Sequence, residues 1–189
     1  MEIIAKNRQS VCPVELAGGL DNSLRRWLQR PGKLLKPYIR QGMTVLDLGC
    51  GPGFFTIEIA RMLNGCGKVI AADLQQGMLE KVERKIKGTP VEPVVQLNRC
   101  SEKGIGLTEK ADFILAFYMV HEVPDKFRLL EELKNLLKPD GTLFIVEPKF
   151  HVTKKTFTRM LSLTEKSGLQ VTGNPTVPFS RAVLLKNTY

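Results

Sequence analysis

The residues Asp47-Leu48-Gly49-Cys50-Gly51-Pro52-Gly53 follow a short apolar run and precede an amphipathic one. Glycines at that spacing allow a tight turn after a strand and a close approach of backbone to ligand. A side chain at Gly49, Gly51 or Gly53 would forbid the backbone angles or block that approach. Asp47 stands at the end of the first apolar run, where its carboxylate can accept a hydrogen bond from a ligand ammonium, directly or through water. Asp73 ends the next run, where a carboxylate can accept both hydroxyls of a ribose. Nicotinamide dehydrogenases use the same ribose contact, so a dinucleotide is the first alternative. Its fingerprint wants a further small residue for close helix packing and room for a pyrophosphate. Here Phe54-Phe55 follows the loop, and those rings crowd a diphosphate while suiting an uncharged or cationic ligand. Further along, His121, Glu122, Glu147 and His151 are the side chains whose positions suit proton transfer.

The elements that must position these groups follow from hydrophobic periodicity. Met43–Asp47, Lys68–Asp73, Pro93–Leu97, Asp112–Phe117 and Thr142–Glu147 read as strands, each a compact apolar run bounded by Gly, Pro, Asp or Lys. Phe54–Leu63, Gln75–Lys87 and Lys126–Leu137 read as helices. In the last, Phe127, Leu130, Leu133, Leu136 and Leu137 build one apolar face, and Lys138-Pro139-Asp140-Gly141 is expected to end it. Strand and helix in alternation imply right-handed crossovers and a doubly wound, Rossmann-like α/β sheet. The tail departs from the pattern. A helix at about Lys154–Ser167 leads to strands near Leu169–Thr172 and Arg181–Lys186, with no helix between them, so these two are expected to pair antiparallel at the sheet edge.

Ahead of the sheet, Asp21-Asn22-Ser23 suits a helix cap before Leu24–Arg30, and Pro31 opens a second helix through about Tyr38. Trp27, Leu28, Leu34, Leu35 and Tyr38 need a surface to pack on. The sheet edge beside the ligand is the expected one, which makes residues 1–30 a helical lid on a domain spanning 31–189.

With these motifs assembled, the chain resembles a class I S-adenosylmethionine-dependent methyltransferase of the broad methyltransferase-11/25 type. The markers are VLDLGCGPGFFT, VIAADLQQGML, ADFILAFYMVHEV and LLKPDGTLFIVEP, and the similarity covers roughly residues 31–189. The resemblance implies seven strands in the order 3-2-1-4-5-7-6 with strand 7 antiparallel. It implies that Gly49, Gly51 and Gly53, with Cys50, line the methionine moiety, and that Asp73 and Leu74 hold ribose and adenine. Family members usually offer an Asp to the adenine after strand 3. Here Asn98-Arg99-Cys100-Ser101-Glu102 lacks it, and Cys100 and Ser101 are the candidates. Ala116, Phe117 and Met119, at the end of strand 4, are expected to touch the cofactor, although Met119 also fits a core role.

Methyl transfer from a sulfonium is an in-line displacement, so the protein chiefly aligns the acceptor and excludes water. It obliges neither a nucleophilic residue nor a metal, and no metal site is expected. Where the acceptor carries a proton, His121 and Glu147 are the candidate bases; a histidine at a helix start can instead simply satisfy backbone groups. Specialised acceptors are disfavoured. The stretch Ala116-Phe117-Tyr118-Met119 replaces the Pro-Pro-aromatic turn of enzymes that methylate adenine amines, no Pro-Cys nucleophile stands there for cytosine carbon, and no cysteine cluster suits arsenite. A small-molecule acceptor is expected, with Trp27, Tyr38, Phe54, Phe55 and Tyr118 available to shape an apolar pocket. An RNA acceptor and a catalytically silent S-adenosylmethionine-binding regulatory subunit are the alternatives.

Composition agrees with one soluble domain: 189 residues, 43% hydrophobic and 25% charged. Met1–Lys6 leads into no secretory core, no run is long enough to span a membrane, and the expected location is the cytoplasm. The cysteines Cys12, Cys50, Cys66 and Cys100 lack zinc-ligand spacing and read as free thiols. Net charge is +9, and residues 1–42 hold eight Lys/Arg against three Asp/Glu. That excess is either a solvated helix surface or a rim that steers an acidic substrate or RNA.

Overall fold

A computed structural model describes residues 30–188. The elements are α1 (Pro31–Leu35), β1 (Thr44–Leu48), α2 (Thr56–Leu63), β2 (Lys68–Asp73), α3 (Gln76–Ile86), β3 (Val95–Arg99), β4 (Ala111–Phe117), α4 (Lys126–Leu136), β5 (Leu137–Pro148), α5 (Lys154–Lys166), β6 (Leu169–Gly173) and β7 (Ser180–Asn187). They form one sheet in the order β3-β2-β1-β4-β5-β7-β6. The first five strands are parallel, and β7 runs antiparallel to both β5 and β6. This is the doubly wound order implied by the sequence, including the antiparallel tail.

Strand alternation divides the core into two faces. On β4, Ile114 and Ala116 pack with Leu130 and Leu133 of α4 and with Phe157 and Met160 of α5. Phe113, Leu115 and Phe117 face the other way, against Leu35, Ile59 and Leu63. Leu79, Val82 and Ile86 seat α3 against Ala71 and Cys50, so the glycine loop and the next helix share a small core of their own.

Several boundaries moved for physical reasons. The second helix stops at Leu35, and the Tyr38 ring lies on the sheet face, 5.7 Å from Phe113 and 5.5 Å from Phe144, not at an edge. The proposed cap at Asp21–Ser23, Trp27 and Leu28 lie outside the described residues, as does the lid except for Arg30. Helix α2 starts at Thr56 because Phe54 and Phe55 still belong to the turn, their rings 4.9 Å apart edge to face. Pro93 sits in a short 3-10 turn, Glu92–Val94, and β3 begins after it. Helix α4 ends at Leu136 and β5 starts at once. Ala111 pairs with Leu137 and Phe113 with Thr142, so Lys138–Gly141 bulges out of the ladder.

Candidate functional site

Parallel strands leave a crevice at their carboxyl ends where the order reverses, here between β1 and β4. A cavity of about 1010 Å³ opens there. Its lining includes Asp47, Gly49, Cys50, Gly51, Asp73, Leu74, Cys100, Ser101, Phe117 and Met119. Ten of the twelve residues assigned to the cofactor from sequence therefore share one cavity. Gly53 and Ala116 are not among the lining residues. A Cβ on Gly53 would stand 3.1 Å from Val82 Cγ2, so this glycine serves the packing of α3 against the loop. Ala116 is fully buried in the core face beneath the site.

The loop is held by its own backbone and by Asp73. The N–H groups of Gly49 and Cys50 both donate to the Ala72 carbonyl, at 2.8 and 3.1 Å. Asp73 Oδ2 accepts from Gly51 N at 2.9 Å, and Oδ1 accepts from Gln75 N at 2.9 Å. Burial pushes the Asp73 carboxyl up, against the pull of those backbone donors. Two glycines matter for different reasons. Gly49 has φ +69, and a Cβ there would fall 2.8 Å from Met119 Cβ. Gly51 has φ +52, and a Cβ there would meet no atom of the described residues within 4 Å. Since Gly51 lines the cavity, its missing side chain leaves ligand space. Asp47 is buried and accepts from the Thr56 hydroxyl at 2.6 Å, which ties the end of β1 to the start of α2.

Leu74 is exposed on the wall, and Gln75 and Met78, which the sequence did not single out, extend it into the start of α3. The loop after β3 closes through paired backbone bonds between Ser101 and Gly104, 3.0 and 3.1 Å. Helix α4 pins that loop from across the cavity. Arg128 donates to the Lys103 carbonyl, and Glu132 Oε2 accepts from Ile105 N at 3.3 Å. Cys100 carries a thiol pushed up to about 11 by burial and by Asp73, and burial with Asp47 and Asp73 raises that of Cys50 well above the usual range. Both cysteines line the cavity.

Past β4 the chain turns sharply. Tyr118 has φ 61, uncommon for a bulky residue, while its N–H donates to Val146 O at 2.8 Å and its hydroxyl lies 2.5 Å from Ser180 Oγ. A 3-10 turn, Val120–Glu122, follows. Three residues per turn send neighbouring side chains about 120° apart. His121 meets Glu147 of β5, Nδ1 to Oε2 at 2.5 Å, with His121 N donating to Oε1 at 3.2 Å. The His121 ring also stacks on His151 at 5.6 Å. Glu122, by contrast, lines the cavity, whereas His121 and Glu147 do not. Of the four side chains singled out for proton transfer, Glu122 is the one that lines the cavity, because a strand end alone does not fix the sense of the turn after it.

The hydrogen bond to Glu147 raises the His121 pKa, burial opposing it. A histidine with a raised folded pKa stabilises fully below its unfolded value of about 6.5 and loses that contribution as pH climbs through the folded value. Melting curves above about pH 6.5 are expected to show a stability decline that Glu147→Gln flattens. Parallel declines in the two proteins would remove the pair from the account. Burial likewise raises the Glu122 carboxyl, with His121 pulling it down.

A family model described as a methyltransferase domain matches residues 39–175. The chain belongs to this methyltransferase family. Its fold is that of the class I S-adenosylmethionine-dependent members. A crystallised SAM-dependent methyltransferase from Aquifex aeolicus superposes with a TM-score of 0.83 at 27% identity, covering 93% of this chain and 98% of that one. A TehB-like SAM-dependent methyltransferase from Corynebacterium glutamicum shares the fold, with a TM-score of 0.71 at 16% identity over 92% and 93% of the two chains. Among curated relatives, the demethylmenaquinone methyltransferase of Lactobacillus johnsonii is 33% identical over 64% of this chain and 49% of its own. The ubiquinone/menaquinone biosynthesis C-methyltransferase of Escherichia coli is 30% identical over 58% and 44%. The methyltransferase domain thus spans about half the length of these curated relatives. Among the described residues, no helix is long and apolar enough to cross a membrane, and no group of His, Cys, Asp and Glu is arranged to hold a metal ion.

Proposed function

We propose that the chain binds S-adenosylmethionine in this cavity and transfers its methyl group to a small apolar acceptor. The observation that carries this reading is the sign of the cavity. Asp47, Asp73, Glu102, Glu122, Asp125 and Glu132 line it against Lys103 and Arg128, in a chain of net charge +9. A site with that excess of carboxylates favours a ligand bearing ammonium and sulfonium and opposes a diphosphate. S-adenosylmethionine, when bound, supplies a methyl carbon made electrophilic by its positive sulfur.

In this reading Gly49, Cys50 and Gly51 line the methionine end, with Asp47 facing its ammonium. Asp73 uses the acceptor capacity left after its two backbone bonds to hold the ribose, since a carboxylate has about four lone-pair sites. Leu74, Cys100 and Ser101 flank the adenine, and Phe117 and Met119 bound the space from β4. Gly53 and Ala116 act from behind, through the seat of α3 and the core under the loop.

The names of the two curated relatives point to a quinone-type ring as acceptor, methylated at carbon. The wall beside the glycine loop suits such a ring: Phe55 lies 4.4 Å from Phe117, and Phe117 4.4 Å from Tyr118. Where the acceptor carries a proton, Glu122 removes it. Burial makes this carboxylate a stronger base than an ordinary one, and His121, oriented by Glu147, balances its charge. Transfer is then expected to rise with pH through the elevated Glu122 pKa. Glu122→Gln should cut turnover by roughly a hundredfold while cofactor affinity holds. Equal turnover in the variant would make proton removal unnecessary or assign it elsewhere.

The acceptor is tested by offering labelled S-adenosylmethionine with a reduced demethylated quinone, a small-metabolite extract and total RNA. Label in the quinone or metabolite fraction is expected. Label in RNA alone would replace the reading with an RNA methyltransferase, and bound cofactor with no transfer to any of them would favour a silent binding subunit.

A further inference from the structure

Charge is distributed unevenly around the cavity. Residues 43–148 hold thirteen Lys/Arg against fifteen Asp/Glu, whereas residues 149–189 hold seven against one, a net +6. The basic tail begins where β5 leaves the sheet, at the same carboxyl end as the cavity. There two phenyl rings stand in water: Phe150 is 73% exposed and Phe179 is 65% exposed. They sit on adjoining turns, because Lys149 N donates to Phe179 O at 3.0 Å and Pro148 pairs with Ser180. Single exposed apolar residues are ordinary. Two on adjoining turns are less so, and Phe179 is held at φ +57, a left-handed backbone that a bulky residue adopts only at a cost.

The cations around them are placed without regard to helix stability. Lys154 and Lys155 occupy the first turn of α5, which has no acidic residue, although the helix dipole disfavours positive charge there. Lys149, Lys154 and Lys155 are all exposed. An apolar tip rimmed by cations is the arrangement of an interfacial anchor, where phenyl rings enter the acyl boundary and lysines meet anionic headgroups.

We propose that this edge, Phe150 and Phe179 with Lys149, Lys154 and Lys155, docks the protein on an anionic lipid surface. Rings that bind single-stranded RNA line grooves and stack along successive bases. These rings are at turn tips outside the cavity lining, which fits insertion into an interface. The edge also joins the candidate site. The Phe150 ring lies 4.9 Å from His151, which stacks on His121, so an acceptor dissolved in the lipid would meet the chain at the end where the cavity opens. Docking does not depend on the methyl-transfer reading and is measured without it.

The test is cosedimentation of the full chain with vesicles of phosphatidylcholine plus phosphatidylglycerol, with vesicles of phosphatidylcholine alone, and with total RNA as competitor. Binding to the anionic vesicles is expected, weakening as salt rises. Phe150→Ser and Phe179→Asn should each reduce it about tenfold, the order for withdrawing one phenyl from an apolar environment. Asn tolerates the left-handed backbone, so Phe179→Asn removes the ring without new strain, and its unchanged melting temperature would show that folding is intact. Equal binding to neutral vesicles, binding that survives both substitutions, full displacement by RNA, or a dimer that the substitutions split into monomers would each overturn the proposal.

Discussion

Asp73→Ala is expected to weaken S-adenosylmethionine and S-adenosylhomocysteine binding by a hundredfold or more, with a small change in stability. The carboxylate does two things at once. It accepts the N–H groups of Gly51 and Gln75, each at 2.9 Å, and so fixes the glycine loop and the start of α3 relative to β2. In the proposed complex it also accepts from the ribose. A hydrogen bond to a charged group contributes about 1.5–3 kcal/mol, so losing two toward the ligand amounts to roughly 3 kcal/mol or more, a factor of at least about one hundred. Stability changes less, because burial already makes the ionised carboxylate costly, as its raised pKa records. Asp73→Asn, which keeps one acceptor oxygen, should fall between. Calorimetric titration of the variants decides this, and undiminished affinity in Asp73→Ala would remove the ribose role.

Gly51→Val is expected to abolish cofactor binding altogether while leaving a folded chain. At Gly51 no atom of the described residues lies within 4 Å of a new Cβ, so the side chain fills cavity, not core. The φ of +52 adds strain of about 1–2 kcal/mol, a tolerable loss for a domain of this size. Gly49→Val is the instructive contrast. Its Cβ would collide with Met119, so destabilisation accompanies any loss of binding. Far-ultraviolet circular dichroism and melting, read beside the titration, separate the two glycines. A Gly51→Val protein that still binds would place the ligand elsewhere.

Much of the architecture was legible because it rests on local patterns. A compact apolar run marks β4, and the helices that follow β1, β2 and β4 imply parallel crossovers. The lack of a helix between Gly173 and Ser180 is what leaves β6 and β7 antiparallel. The glycine loop was legible for the same reason, since its chemistry lies within seven consecutive residues. Contacts made across the fold were not. Nothing near Ser101 in the chain signals that Arg128 and Glu132, on α4, hold its loop. The assignment of His121 over Glu122 failed to foresee the cavity lining because one 3-10 turn decides which side chain faces β5. Besides the amino-terminal excess, folding brings Lys149, Lys154 and Lys155 of the basic tail to the carboxyl edge beside the site, which the sequence order alone did not reveal. Tyr38 went to the sheet face because Phe113 and Phe144 offer rings there, a pairing invisible from either segment alone.

The most direct test of the central claim is a calorimetric titration of the unmodified chain with S-adenosylmethionine, repeated with a nicotinamide dinucleotide. The carboxylate-lined cavity predicts saturable binding of one S-adenosylmethionine per chain, competed by S-adenosylhomocysteine, and none of the dinucleotide. Heat from the dinucleotide, or none from S-adenosylmethionine, would contradict it.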